Sequence, residues 1–217
     1  MQIDDVEILF AALTPLNPLI PAPVNRYKSQ LGQFAPGAEI QGYRELDSWQ
    51  LQATTTRVWG PDTFLKANQV AFVAEVGFNA VPDLPPLSEL RFNGSGTGTG
   101  GGPDVTTGDF NNPVTETGGF PDDFSWGYRL LARADYNNAL GAWTVSPRIA
   151  FGHDVDGTTP GPGGAFIDGR RQITAAVAFN LLNEWIIDVA YTDYSGGGRY
   201  NLLQSRDFFS ASVSYSF

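Results

Sequence analysis

The chain has 217 residues, room for one domain with a sizeable core. Its 23 acidic and 13 basic residues leave a formal charge of −10, so no basic stripe exists to meet phosphates and a nucleic-acid partner is excluded. The absence of cysteine excludes disulfides and thiolate metal sites, and no apolar run reaches the roughly 18 residues of a transmembrane helix.

A mean hydropathy of −0.16 does not exclude membrane-spanning strands, which are only half apolar and escape hydropathy scans. Twenty-five glycines and 15 prolines suit many strands joined by turns. The N-terminal MQIDDVEILF has no basic region followed by an apolar one, so it does not read as a signal peptide. Residues 1–47 hold two apolar, proline-broken stretches, ILFAALTPLNPLIPAPV and QLGQFAPGAEI. They are expected to form an extracellular excursion preceding the strands, or alternatively a further short strand or an interfacial helix.

From residue 48 to 217 the pattern is alternation. Side chains in a strand point to opposite faces in turn, so alternating apolar and polar residues give a two-faced strand. In Trp49–Trp59, Trp49, Leu51, Ala53 and Trp59 share a face, with Arg57 as an intruder. In Val70–Ala80, Val70, Phe72, Ala74, Val76 and Phe78 oppose Glu75 and Asn79. In Trp126–Tyr136, Trp126, Tyr128, Leu130, Ala132, Ala134 and Tyr136 oppose Arg129, Arg133 and Asp135. In Trp143–Val155, Trp143, Val145, Ile149 and Phe151 oppose Thr144, Ser146, Arg148 and Asp154. In Arg171–Leu181, Ile173, Ala175, Val177 and Phe179 oppose Gln172, Thr174 and Ala176. In Trp185–Tyr194, Trp185, Ile187, Val189 and Tyr191 oppose Asp188, Ala190 and Thr192. Asp207–Phe217 sets Phe209, Ala211, Val213, Tyr215 and Phe217 against Phe208 and four serines.

Most of these segments have the length of a tilted bilayer-spanning strand, about 9–11 residues, rather than the 5–6 of an average globular strand. Short connections (Gly60–Phe64, Asn137–Ala142, Asn180–Glu184) alternate with long ones (Val81–Ser125, Asp156–Arg170, Ser195–Arg206), the pattern of periplasmic turns and extracellular loops. All five tryptophans fall on the apolar face near strand ends. Trp59, Trp143 and Trp185, with Tyr136 and Phe217, border the short turns. Trp49 and Trp126, with Phe78, Phe151, Tyr191 and Phe209, border the long loops. Indole rings prefer the bilayer interface, so two aromatic girdles are expected; the core of a soluble sandwich would hold its largest rings mid-strand. The fold expected is all-β, a transmembrane antiparallel up-and-down β-barrel. Seven strands is an odd number, whereas single-chain bacterial barrels have an even count, so the sequence reads as the C-terminal part of a longer chain in the outer membrane of a Gram-negative cell.

The phrases GFPDDFSWGYRLLARADYNNAL, SPRIAFGHDVDGTTPGPGGAF and GGGRYNLLQSRDFFSASVSYSF resemble the proteobacterial domain-of-unknown-function 1302 family. The likeness is close from about Gly119 to Phe217 and looser at QGYRELD, Gln41–Asp47. It implies a large outer-membrane protein with a signal peptide, of which this chain is the C-terminal third. It assigns no chemistry, although movement of hydrophobic compounds or lipids is suspected for such proteins.

For function, the polar face is the first place to look. Glu75, Arg129, Arg133, Arg148 and Asp188, with Asp135 and Asp154, are expected to line the lumen, and Arg133 and Arg148 to lie nearly opposite one another. Such mixed charge can line a wet channel and set its selectivity, or it can form a structural ion-pair ladder. Phe209, Tyr215 and Phe217 are expected to form the signal read by the barrel-assembly machinery. His153, the single histidine, belongs to no hydrolase pair: the residue two positions on is Val155, not a serine that it could activate. The glycine-rich Gly94–Asp104 lacks the GK[ST] ending of a phosphate loop and reads as surface loop. Asp104, Asp109, Asp122 and Asp123 follow no calcium-loop spacing. PGPGGAF at Pro160–Phe166 and SGGGRYNLL at Ser195–Leu203 carry apolar tips that pack within their loops or meet a ligand at the mouth. No cofactor and no metal is expected. The expected partners are outer-membrane lipids, the assembly machinery and a small hydrophobic solute. A structural or docking protein with a plugged lumen, and a lipid-acting enzyme, are the other readings.

Overall fold

A computed structural model of the chain describes residues 1–20, 27, 29–94 and 118–216. Seven strands form one antiparallel sheet, each hydrogen-bonded to its neighbours in sequence: β1 (Trp49–Trp59), β2 (Gln69–Ala80), β3 (Phe124–Leu140), β4 (Trp143–Asp156), β5 (Arg171–Leu181), β6 (Trp185–Ser195) and β7 (Phe208–Tyr215). This is an up-and-down meander, with β1 and β7 at its two ends. All seven segments expected from alternation are strands, and β1, β2, β4, β5 and β6 start and stop where the alternation does or within one residue of it. Phe217, the last residue of the expected assembly signal, lies outside the described residues, as do residues 95–104 of the glycine-rich loop.

β3 runs longer than the alternation suggests, because its connection to β4 is only Gly141–Ala142. Gly141 has φ +67°, a left-handed value that favours glycine in a tight hairpin. The extra length is absorbed by a register shift between Tyr136 and Leu140, where Asn138 is also left-handed (φ +56°). Between these pairs β3 advances four residues and β4 two, an even difference, so both ends of the hairpin keep their apolar side. The β5–β6 turn uses Leu182 and Asn183, both left-handed. Asn180 braces it, accepting from the Asn183 N–H at 2.8 Å and donating to its side chain at 2.9 Å. The β1–β2 connection is tied to β3 by two bonds of Asn68, to the Asp135 carbonyl and the Asn137 N–H.

The chain divides into two compact units. One holds the sheet: residues 50–78, 126–156 and 169–217. Cross-strand partners keep the two faces apart throughout it. On one face Trp185 pairs with Tyr215, Ile187 with Val213, Val189 with Ala211 and Tyr191 with Phe209. On the other, Asp188 pairs with Ser212 and Ala190 with Ser210. The apolar face is the open one: Ile149 is 48% exposed and Tyr191 49%. On the polar face, β4 and β6 bury Ser146 and Thr192 at 4% exposure each and Asp154 at 1%, whereas β1 and β7 are exposed on both faces. At these β4 and β6 positions the arrangement of a water-soluble domain is reversed.

The other unit comprises residues 1–49, 79–125 and 157–168. Here a helix, α1 (Asp5–Leu13), runs into a 3-10 segment at Thr14–Leu19. Of the structures the first apolar stretch could adopt, it takes the helix. Proline at 15 and 18 stops the α-helical pattern, since proline lacks the N–H the ladder needs. Ile3, Leu90 and Phe92 form a conventional buried core, with Met1, Ile8, Leu31, Leu46 and Leu84 packed around it.

Candidate functional site

The polar face of the sheet brings together the residues that alternation points to, and gives each arginine an acidic partner. Arg148 on β4 reaches Asp188 on β6 with two parallel bonds, Nη1 to Oδ2 at 2.6 Å and Nη2 to Oδ1 at 2.9 Å. The pair crosses β5, and it can do so because the β5 residues beneath it are alanines: Arg148 is in register with Ala176 and Asp188 with Ala178. A fork-on-fork geometry of this kind fixes orientation as well as charge.

Arg133 is in register with Arg148, as expected from the hairpin. The two guanidinium groups are drawn to different partners. Arg133 Nε donates to Asp135 Oδ1 at 2.7 Å, and Ser146 Oγ donates to the same oxygen at 2.6 Å. Glu75 on β2 accepts a bond from Thr54 on β1 at 3.1 Å.

The third arginine belongs to a triad. Asp154, sealed at 1% exposure, holds two arginines with one carboxylate: Arg129 Nη2 to Oδ1 at 2.5 Å and Arg170 Nε to Oδ2 at 2.6 Å. Its own N–H donates to the Arg170 carbonyl at 2.8 Å, which fixes the start of β5 against β4. Arg129 lies across Gly152, its register partner; a Cβ built at Gly152 would stand 2.9 Å from Arg129 Cδ. Glycine here is the condition for the guanidinium to lie flat against the sheet. Two clefts open beside the triad, of about 130 and 280 Å³, and Arg129, Gly152 and Gln172 line both. Arg170 escapes sequence reasoning because it precedes the strand pattern. The signal that could have found the crossings is the run of small residues, Gly152, Ala176 and Ala178, on an otherwise polar face.

On the opposite face the aromatic residues meet in pairs at the strand ends. Trp185 packs on Tyr215 at 4.6 Å between ring centroids, beside the β5–β6 turn. Phe78 stacks on Trp126 at 6.1 Å, beside the long connections. Trp49, Trp59 and Trp185 are exposed, and Trp143 is in register with Leu181. Tyr191 and Phe209 are register partners. His153 lies among Tyr128 and Phe151 and accepts a 3.4 Å contact from Arg171 Nε. Asp122 accepts the Thr158 N–H at 2.8 Å, while Asp104 and Asp109 lie outside the described residues. Of the two apolar loop tips, Phe166 is buried and its N–H bonds the Thr159 hydroxyl, whereas Leu202 is exposed.

A family model described as a protein of unknown function, DUF1302, matches residues 1–217, and the chain belongs to that family. The match takes in the first hundred residues as well as Gly119–Phe217. No curated protein and no solved structure matches the chain.

Proposed function

We propose that this member of the family forms the C-terminal part of an outer-membrane β-barrel in a Gram-negative cell, and that the barrel passes or binds small hydrophobic molecules. The observation that carries the reading is the reversed burial at β4 and β6. Leucine, isoleucine, valine and aromatic side chains cover one face, with Ile149 and Tyr191 about half exposed, while Ser146, Asp154 and Thr192 are sealed on the other. An apolar surface of this extent is costly in water and favourable in a bilayer. The pairing of aromatic residues at both strand ends supports two interfacial girdles. Strands of 11 residues or more in β1 to β6 have the reach of a bilayer. An isolated sheet would expose unsatisfied edges to lipid, so the ends at β1 and β7 call for closure by further strands. Phe209, Tyr215 and Phe217 would be read by the assembly machinery, and lipids of the outer membrane would cover the open face.

The pairing of Arg148 with Asp188, and of Arg129 with Asp154, favours a second reading, in which a charged ladder fills the lumen and the protein serves as a structural or docking element. Reconstitution in planar bilayers and in vesicles loaded with an apolar dye separates the two. Solute flux supports transport. A protein that inserts and yields neither conductance nor flux supports the plugged form and ends the transport reading.

A further inference from the structure

The two clefts beside Asp154 have chemistry that matches neither water nor a purely apolar guest. The smaller, about 130 Å³, has three arginines in its wall, Arg129, Arg170 and Arg171, against one aspartate. That is a cationic spot in a chain of net charge −10, and the field there attracts anions that the rest of the surface repels. The larger, about 280 Å³, is walled by Val73, Leu131, Ala150 and Phe151, with Arg129 and Glu75 as its charged members. Because Arg129, Gly152 and Gln172 line both, the cationic cleft and the apolar one share a side.

We propose that together they bind an amphipathic monoanion, a carboxylate head on an unbranched apolar chain. The head meets the guanidinium groups of Arg129 and Arg170, and the chain lies over Val73, Leu131 and Ala150. The inference rests on the hydrophobic-solute reading above and names its chemistry. Asp154 acts as a positioning residue: one buried carboxylate orients two guanidiniums side by side. A guanidinium carries five N–H donors, and Arg129 spends two groups on Asp154 and the Tyr128 carbonyl, so donors remain for a ligand, in the planar geometry that suits a carboxylate. Gly152 keeps the shared wall low enough for Arg129 to lie between the clefts. Glu75 sets the charge of the guest. A second anionic group carried into the larger cleft would meet that carboxylate, so a monoanion is favoured over a dianion.

The test uses the purified protein in nanodiscs of phosphatidylcholine alone, so that no anionic lipid competes, with empty nanodiscs as the blank. Calorimetry compares octanoate, octanol, octylammonium and octanedioate at one pH and salt concentration. Octanoate should bind roughly tenfold or more tightly than octanol or octylammonium, the scale of a charge-assisted hydrogen bond, and more tightly than octanedioate. Arg129→Gln should remove that preference, Arg129→Lys should keep part of it, and Glu75→Gln should narrow the gap between octanoate and octanedioate. Octanoate binding no better than octanol to the unsubstituted protein overturns the proposal without recourse to any variant. If that happens while apolar dye still crosses vesicles, the anion site falls and the hydrophobic-solute reading stands; if neither binding nor flux is seen, both fall.

Discussion

Glu7 and Asp154 are both carboxylates sealed from solvent, at 0% and 1% exposure, and both are held by arginine, yet their surroundings are opposite in kind. Glu7 sits on α1 beside an apolar core of Ile3, Leu90 and Phe92. It receives Arg91, the Gln30 N–H and the Ser29 hydroxyl. Asp154 sits on the polar side of a sheet whose tryptophans lie on the other face, with Trp49, Trp59 and Trp185 exposed. The first unit follows the rule for a domain in water, with hydrocarbon inside. The second inverts it at β4 and β6. One chain builds both patterns, and the difference separates the unit proposed to lie in a bilayer from the unit with hydrocarbon inside.

The largest effect should come from the aqueous-style unit. Glu7→Ala leaves Arg91 buried without its carboxylate, which costs about 3–5 kcal/mol when one member of a buried pair is removed. Amide hydrogen exchange of α1 should report it as a loss of protection. Unchanged protection at Ile8 would mean that the pair contributes little, and that the contrast with Asp154 has been overdrawn.

A charge on the open face of the sheet comes next. Val189 faces Ala211 in mid-strand. Val189→Lys should cost about 2–4 kcal/mol in a bilayer, the penalty at the lipid midplane, measured by urea unfolding in vesicles. If the face were wetted, the same change would be nearly silent. Single cysteines sharpen the point: at Val189 the thiol should be shielded from a small aqueous reagent by lipid, and at Asp188 it should be labelled. Equal labelling at the two positions would remove the bilayer reading of the sheet.

Asp188→Asn should have a moderate effect, about 1–2 kcal/mol, because Arg148 and Asp188 retain partial exposure and solvent compensates part of the lost charge. Denaturant unfolding of the reconstituted protein checks it. A loss as large as that of Glu7→Ala would show that the polar face is drier than its exposure implies.

These magnitudes also explain what could be read from the sequence. Alternation over eleven or more residues is a strong signal, because a one-residue slip would send Trp185, Ile187 and Val189 to the polar face together. The bounds of β1, β2, β4, β5 and β6 were legible for that reason, and so were the facing of Arg133 toward Arg148 and the shared side of Arg129 and Asp154. The bulge at Asn138 was not, since alternation on both sides of it looks the same. Nor was the first unit: DVEILFAAL is apolar at nearly every position after the acids and shows no stripe, so its helix competes with a strand on equal terms. Arg170 was missed because a residue outside the alternating pattern has no assigned face. The partners of each arginine depend on which small residue lies beneath, and that is a property of the register rather than of the sequence taken one strand at a time.

The smallest expected effect is the most discriminating. In Gly152→Ala two terms oppose. A glycine in a strand interior is worth about 0.5–1 kcal/mol less than alanine, through backbone entropy, so the substitution should stabilise β4. The new Cβ, however, would stand 2.9 Å from Arg129 Cδ, and a flexible side chain can yield by swinging its guanidinium off the sheet. Stability in urea should therefore change by less than about 1 kcal/mol. The preference for octanoate over octanol should still fall, because Arg129 no longer lies along the wall shared by the two clefts. A stabilised protein with its preference intact would mean that Arg129 moves without consequence, and Gly152 would then serve only the strand.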